Sequence, residues 1–86
     1  MKKLTIFYQE HCPFCKWAFK FIDELKDENP EYCKILIKTI EETQQPEVAD
    51  TFDYYYVPTF YIDDNKMHEG GIKKEELREI LDYAIK

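Results

Sequence analysis

The alternation of apolar and polar residues divides the chain into short elements. Residues 4–8 are β-branched and aromatic, which predicts a first strand. Pro13 suits the first turn of a following helix, and Asn29-Pro30 ends it. Between them, apolar residues recur with the spacing of one buried helical face. These residues are Phe14, Trp17, Ala18, Phe21, Ile22 and Leu25.

Further elements follow this helix. The apolar run at residues 33–38 predicts a second strand, central in its sheet because such runs are usually covered on both faces. A short helix is expected at residues 45–55, and a third strand at 58–62, with Pro58 in its first position. After a polar turn, residues 66–69 predict a short antiparallel strand. A last helix presents one apolar face, formed by Leu77, Ile80, Leu81, Ala84 and Ile85.

The resulting order is β-α-β-α-β-β-α. Two strands joined by a helix are expected to be parallel with a right-handed crossover, and the last two strands form a hairpin. This order predicts an α/β fold with a four-stranded mixed sheet and helices on both faces. Residues 1–86 are expected to form a single domain, because a chain of 86 residues leaves no room for a second core.

Composition narrows the class of protein. Hydrophobic residues make up 44% and charged residues 35% of the chain, as in globular proteins. The net charge of −6 disfavours nucleic acid and anionic membrane surfaces as partners. No apolar run approaches the roughly 20 residues of a membrane span. Three cysteines are an odd count for a secreted disulfide scaffold, so we expect a reducing, cytoplasmic setting.

The chemistry is expected at Cys12-Pro13-Phe14-Cys15, where the first strand passes into the first helix. The spacing places both sulfurs within one helical turn, close enough for a disulfide. Cys12 falls at the helix start, where unsatisfied N–H groups and the helix dipole favour an anion and hence the thiolate. Cys15 is expected to be more buried and to act as the resolving thiol. A CxxC near a β-α-β pattern is typical of redox proteins.

An alternative interpretation is that the same two cysteines form half of a zinc site. Completing it would require two further ligands from His11, Cys33 or His68, and none of these has the spacing of paired zinc ligands. An iron–sulfur cluster shared by two chains through Cys12 is a related alternative. The preferred interpretation has no metal site.

Three motifs together resemble glutaredoxins, within the thioredoxin superfamily. Residues 8–15, with Cys-Pro-Phe-Cys after a strand, are similar to the glutaredoxin active site. Val57-Pro58-Thr59 looks like the Val-Pro element of the superfamily, in which the proline is cis and faces the cysteines. Glu69-Gly70-Gly71 is similar to the glutaredoxin double glycine. The resemblance covers the whole chain and implies a thioredoxin-like fold of the glutaredoxin type.

The resemblance also implies a function. Cys12 would attack a disulfide-containing protein or a glutathione mixed disulfide, and Cys15 would resolve the intermediate. No bound cofactor is implied, and glutathione is the expected reductant, with thioredoxin reductase as the alternative electron source. We expect a monomer. Substrate contacts are expected from Pro13, Phe14, Tyr56, Val57, Pro58, Thr59, Gly70 and Gly71.

The chain departs from the usual glutaredoxin pattern around the glutathione groove. Gln9 stands where many members have lysine, and Tyr56 stands where they have threonine. Ile72-Lys73-Lys74 replaces the Cys-Asp-Asp whose acidic residue holds the glutathione amino group. Thioredoxins differ as well, because they carry a buried aspartate where this chain has Ile6.

Four other positions carry expectations. His11 either favours the neighbouring thiolate by its charge or is an exposed loop residue. Cys33 is expected to be a small buried hydrophobe, and Trp17 a core residue. The adjacent acids Glu41-Glu42 are expected to form a solvated face.

Overall fold

The computed structural model describes residues 1–86 and has the predicted order of elements. A 3-10 helix at Pro30–Lys34 is an addition. The strands are β1 (Lys3–Tyr8), β2 (Leu36–Glu41), β3 (Thr59–Ile62) and β4 (Asn65–Glu69). The helices are α1 (Pro13–Glu28), α2 (Pro46–Ala49) and α3 (Lys74–Ala84).

The four strands form one mixed sheet in the order β2-β1-β3-β4. Strand β1 is parallel to β2 and antiparallel to β3, and β3 forms a hairpin with β4. Phe7, near the carboxyl end of β1, lies opposite Thr59 at the start of β3. The segment that leaves β1 toward α1 therefore lies beside the segment that enters β3, and these two segments build the candidate site.

Alternate residues of the strands point into two separate cores, as the pleat of a sheet requires. On one face, Leu4 and Ile6 pack with apolar residues of α1 and α3. On the other face, Phe7 and Tyr61 pack with Ala49 of α2 and with the aromatic residues that follow it. Helices thus cover both faces of the sheet, and the predicted fold class is confirmed.

The prediction for the second strand is wrong in its boundaries and in its place in the sheet. It begins at Leu36 and lies at an edge, beside β1 only. The preceding residues form the 3-10 helix because Pro30 fits its first turn and the Asn29 side chain caps it, accepting the Glu31 N–H at 3.1 Å. Leu36 is 65% exposed, so the apolar run did not indicate burial on both faces.

The second helix is shorter than predicted and ends at Ala49. Turn hydrogen bonds continue as far as Phe52, whose N–H donates to the Ala49 carbonyl at 3.0 Å. The Phe52 ring then packs on Phe7, with centroids 4.7 Å apart, and this contact leads the chain back to the sheet. None of the helices combines the length and the apolarity that a bilayer crossing requires.

Candidate active site

Cys12 is the N-cap residue of α1 and has an extended backbone. Its carbonyl accepts the N–H groups of Cys15 and Lys16 at 3.1 and 3.2 Å, which starts the helix. No side chain caps this end, and Cys12 is half-buried there. Since Pro13 has no N–H, Phe14 carries the one backbone N–H of this first turn that has no hydrogen-bond partner. The positive end of the helix dipole also lies at this position.

Cys15 lies close to Cys12, but its surroundings are different. Its side chain is 1% exposed, and this burial is the main cause that raises the pKa of its thiol from 9.0 to about 12. The Cys12 side chain and the charge of Glu42 raise the pKa further, while a hydrogen bond from the Gln9 backbone N–H lowers it. Cys15 is therefore a protonated, protected thiol at neutral pH.

The segment before β3 faces the two cysteines. The Val57-Pro58 peptide bond is cis, as the resemblance implied, and Pro58 is buried. The Cys12 thiol donates to the Val57 carbonyl oxygen across 3.8 Å. The Thr59 hydroxyl donates to the Tyr56 carbonyl, which fixes the turn from the other side. The Val57 N–H makes no hydrogen bond within the protein, although this residue is only partly buried.

The two glycines complete the rim of the site. Gly70 has φ of +92°, a conformation that favours glycine, and its N–H donates to the Pro58 carbonyl at 2.8 Å. A Cβ atom on Gly71 would lie 3.1 Å from Cδ1 of Phe14, so the ring and the glycine backbone are in close contact. The backbone is therefore tightly packed at this pair of glycines.

Two exposed aromatic side chains belong to this rim. Phe14 is 61% exposed, although its spacing placed it on the buried face of the helix, and Tyr56 is 70% exposed. A Cβ atom on Gly70 would lie 4.0 Å from the Tyr56 Cβ, so Tyr56 and Phe14 both border the double glycine. Pro13, in the first turn of α1, is exposed as well. Of the residues predicted to contact substrate, Pro58 and Thr59 are buried, whereas Pro13, Phe14 and Tyr56 are exposed.

Two predictions about burial are wrong. Trp17 is 53% exposed, because the stripe of α1 that faces the core runs through Cys15, Ala18, Ile22 and Leu25. Cys33 is exposed because it lies in the 3-10 helix and not in a strand. His11 is an exposed residue of the loop before α1 and makes no hydrogen bond.

A polar network beneath Cys15 was missed by the sequence reasoning. The Glu42 carboxylate accepts the Tyr54 hydroxyl at 2.6 Å and the Gln9 side-chain amide. Burial of Tyr54 and its contact with Glu42 raise the pKa of the phenol. Because Gln9 also meets Cys15 through its backbone, the network reaches the resolving thiol.

The neighbouring acid, Glu41, is 8% exposed, which contradicts the predicted solvated face. Its carboxylate accepts the Thr43 N–H at 2.6 Å, the Thr43 hydroxyl at 2.7 Å and the Glu10 N–H at 3.3 Å. These hydrogen bonds lower the pKa of Glu41 and order the turn after β2. Adjacent acids in a sequence do not reveal such backbone partners, so nothing in the pattern could have indicated them.

Glu69, at the end of β4, is the third acid with a structural role at the site. Its carboxylate accepts the backbone N–H groups of Tyr55 and Tyr56 at 2.5 and 2.9 Å and pairs with Lys66 at 2.8 Å. The Lys66 ammonium and these amides lower the pKa of Glu69 to about 2. Glu69 therefore holds the tyrosine segment in place next to Val57.

The structure does not assemble the ligands of the alternative metal site. Cys33 follows the carboxyl end of α1, whereas Cys12 lies at its amino end, about 24 Å away along a 16-residue helix. His68, on β4, directs Nε2 to the Gly71 carbonyl at 2.8 Å. No group of three His, Cys, Asp or Glu side chains is arranged to hold a metal ion.

Comparison with known proteins agrees with this geometry. The family model described as Thioredoxin matches residues 2–83, and the chain belongs to the thioredoxin family. A comparison with curated proteins found no match.

Several solved structures share the fold. Oxidised thioredoxin from Plasmodium falciparum is 22% identical, with a TM-score of 0.73 over 96% of this chain and 81% of that one. Oxidised thioredoxin O1 from Arabidopsis thaliana is 16% identical, with a TM-score of 0.74 over 100% and 79%. A thioredoxin-like protein from Clostridium perfringens is 23% identical, with a TM-score of 0.72 over 100% and 73%. At these identities the likeness establishes the fold alone.

Proposed function

We propose that the protein is a dithiol–disulfide oxidoreductase in which Cys12 is the nucleophile and Cys15 the resolving thiol. The observation that carries the proposal is the pairing of a half-buried Cys12 at the uncapped start of α1 with a buried Cys15 beside it. Cys12 is within reach of a substrate at the start of the helix, and Cys15 beside it is a buried, protonated thiol.

The reaction proceeds in two exchange steps. The Cys12 thiolate attacks one sulfur of a substrate disulfide, so that a Cys12–substrate disulfide forms and the other substrate sulfur leaves as a thiolate. Cys15 then loses its proton and attacks the Cys12 sulfur, which releases the second substrate thiolate and leaves the Cys12–Cys15 disulfide. Two electrons pass to the substrate, and the two thiolates take up protons from the solvent.

The segment before β3 supports protein disulfides as the substrate class. The free N–H of Val57 can pair with an extended substrate backbone, as in β-strand addition. The exposed rings of Phe14 and Tyr56 flank Cys12 and offer apolar contacts to residues around the attacked sulfur. A peptide substrate can pair its backbone with Val57 and pack its side chains on these rings at the same time.

The electron source separates two forms of the proposal. The side chain of Gln9 is engaged with Glu42, and Lys74 is paired with Glu24 and Glu28 at 3.1 and 2.6 Å. These contacts occupy the side chains at two positions where glutaredoxins bind glutathione, which supports a thioredoxin reductase as the electron donor. The Cys-Pro-Phe-Cys motif and the contact of Phe14 with Gly71 support the glutaredoxin-like alternative, in which glutathione is the reductant. In either form we propose a monomeric, cytoplasmic protein with no bound cofactor.

The test measures NADPH-coupled reduction of insulin and of a small neutral disulfide, once with thioredoxin reductase and once with glutathione and its reductase. Cys12→Ser is expected to abolish turnover in both assays, whereas Cys33→Ser, the control variant at the exposed cysteine, retains it. Cys15→Ser is expected to accumulate a mixed disulfide detectable by mass spectrometry. Wild-type turnover by Cys12→Ser would overturn the proposal, and the more active coupled system identifies the electron source.

A further inference from the structure

Helix α1 carries a second apolar stripe that the core covers only at Phe21. Phe14, Trp17 and Phe21 recur at the i, i+3, i+7 spacing of one helical face. Phe14 and Trp17 are 61% and 53% exposed, and the Trp17 ring lies 5.9 Å from that of Phe21. Large aromatic side chains left exposed beside a reactive group are typical of binding surfaces.

Two lysines accompany this stripe. Lys16, Trp17 and Lys20 line a shallow depression of about 220 Å³, and the Lys20 ammonium lies 5.0 Å from the centroid of the Trp17 ring. Neither lysine is in an ion pair, although other cations of the chain, such as Lys74 and Arg78, are. Their charges are therefore available to an external partner.

The charge of α1 is divided along its length. Lys16 and Lys20 are the charged residues of its first two turns, and no acid lies there. The second half of the helix carries its acids, which are Asp23, Glu24, Asp27 and Glu28. In a chain with a net charge of −6, the first two turns of α1 thus carry only positive side-chain charges.

We propose that Phe14, Lys16, Trp17 and Lys20 form a docking surface for an acidic segment of a protein disulfide substrate, an inference that rests on the proposed dithiol chemistry. The exposed cations complement carboxylates, and the aromatic stripe complements apolar side chains between them. The overall negative charge opposes a polyanion such as nucleic acid, so a short acidic peptide segment is the better match.

The geometry gives the position of the acidic residues. The helix rises about 12 Å from Cys12 to Lys20, at 1.5 Å per residue. An extended peptide covers this distance in about four residues, at roughly 3.3 Å each. Aspartate or glutamate about four residues from the attacked cysteine is therefore expected to reach this docking surface.

The test uses two synthetic peptides that carry the same cysteine in a mixed disulfide with 2-mercaptoethanol. One has two glutamates about four residues from the cysteine, and the other has glutamines there. The second-order rate constant of pre-reduced protein is expected to be about fivefold higher for the acidic peptide at low salt, the effect of two exposed ion pairs. The preference is expected to disappear in 0.5 M NaCl, which shortens the range of charge interactions.

The double variant Lys16→Gln/Lys20→Gln is expected to lose the preference, so that the ratio of the two rates falls to about one. Because both peptides present the same sulfur, the ratio cancels any change in the reactivity of Cys12. The control variant Lys38→Gln/Lys86→Gln removes the same charge elsewhere and is expected to keep the ratio. An unchanged ratio in the first variant, or no preference in the wild type, would overturn the docking surface.

Trp17, the single tryptophan, gives an independent readout. In mixed disulfides trapped with Cys15→Ser, its fluorescence emission is expected to shift to shorter wavelength with the acidic peptide relative to the neutral one. Identical emission in both complexes would contradict contact at Trp17. Failure of the dithiol function is distinguishable, because the wild type would then react with neither peptide.

Discussion

The site has a cysteine at its rim, Cys12, and a cysteine at its buried floor, Cys15, and the two have opposite surroundings. At the rim, the half-buried Cys12 lies among exposed rings, glycine backbone and the Val57 carbonyl. At the floor, Cys15 is buried above the network of Gln9, Glu42 and Tyr54. One helical turn separates the two sulfurs along the chain.

The difference shows that the surroundings of each thiol, and not its residue type, determine which is the nucleophile and which the resolving thiol. The positive end of the helix dipole lies at the rim and favours negative charge, while burial opposes charge at the floor. Cys33 provides a third case, since it is exposed but lies beyond the other end of α1, with neither a helix start nor a second sulfur beside it. Three variations in conditions or sequence would break or sharpen the comparison between rim and floor.

The largest effect is expected from pH acting on Cys15. Burial raises the pKa of this thiol to about 12, so below that value its thiolate fraction grows about tenfold for each unit of pH. Closure of the Cys12–Cys15 disulfide from a preformed mixed disulfide is therefore expected to accelerate about 100-fold between pH 7 and 9. Stopped-flow quenching of a labelled leaving thiol measures this step, and a plateau below pH 9 would show that burial does not control Cys15.

A smaller effect separates the two glycines of the rim. Gly70→Ala is expected to destabilise the protein by about 1–2 kcal/mol, because φ of +92° is strained for any residue with a Cβ atom. Gly71→Ala is the matched control: its Cβ meets only the exposed ring of Phe14, so a change of less than about 0.5 kcal/mol is expected. Urea unfolding of both variants measures the difference, and the reverse order would refute the assignment.

The smallest effect concerns Glu42 beneath the floor. Its charge raises the pKa of Cys15, so Glu42→Gln lowers that pKa and increases the thiolate fraction about threefold. A less basic thiolate is also less nucleophilic, which leaves closure of the disulfide about twofold faster at pH 8. Tyr54→Phe removes a hydrogen bond of Glu42 but keeps its charge. An equal acceleration in Tyr54→Phe would point to packing and not to charge.

The order of elements and the cysteine motif could be predicted because both depend on local spacing. The Cys12 position at the helix start followed from Pro13 and the preceding strand, and the turn at Gly70-Gly71 followed from the only glycines of the chain. Short-range steric rules and helix capping are visible in a few neighbouring residues.

The errors concern properties that tertiary packing decides. The edge position of β2 depends on strand order, which no single segment contains. Trp17 lies on a stripe adjacent to the buried one, and periodicity alone does not say which stripe faces the sheet. Glu41 and Glu42 owe their roles to Thr43, Gln9 and Tyr54, partners from three segments that only the fold brings together.

The division of charge along α1 has a consequence for how the helix forms. A helix is stabilised by acids at its amino end and by cations at its carboxyl end, and α1 has Lys16 near the first and Glu28 at the second. Helix α3 compensates for this arrangement, since Lys74 and Arg78 pair with Glu28 at 2.6 and 3.1 Å. The segment that carries both reactive sulfurs thus depends on the last helix of the chain, and we expect a peptide of residues 13–28 alone to remain largely unfolded in water.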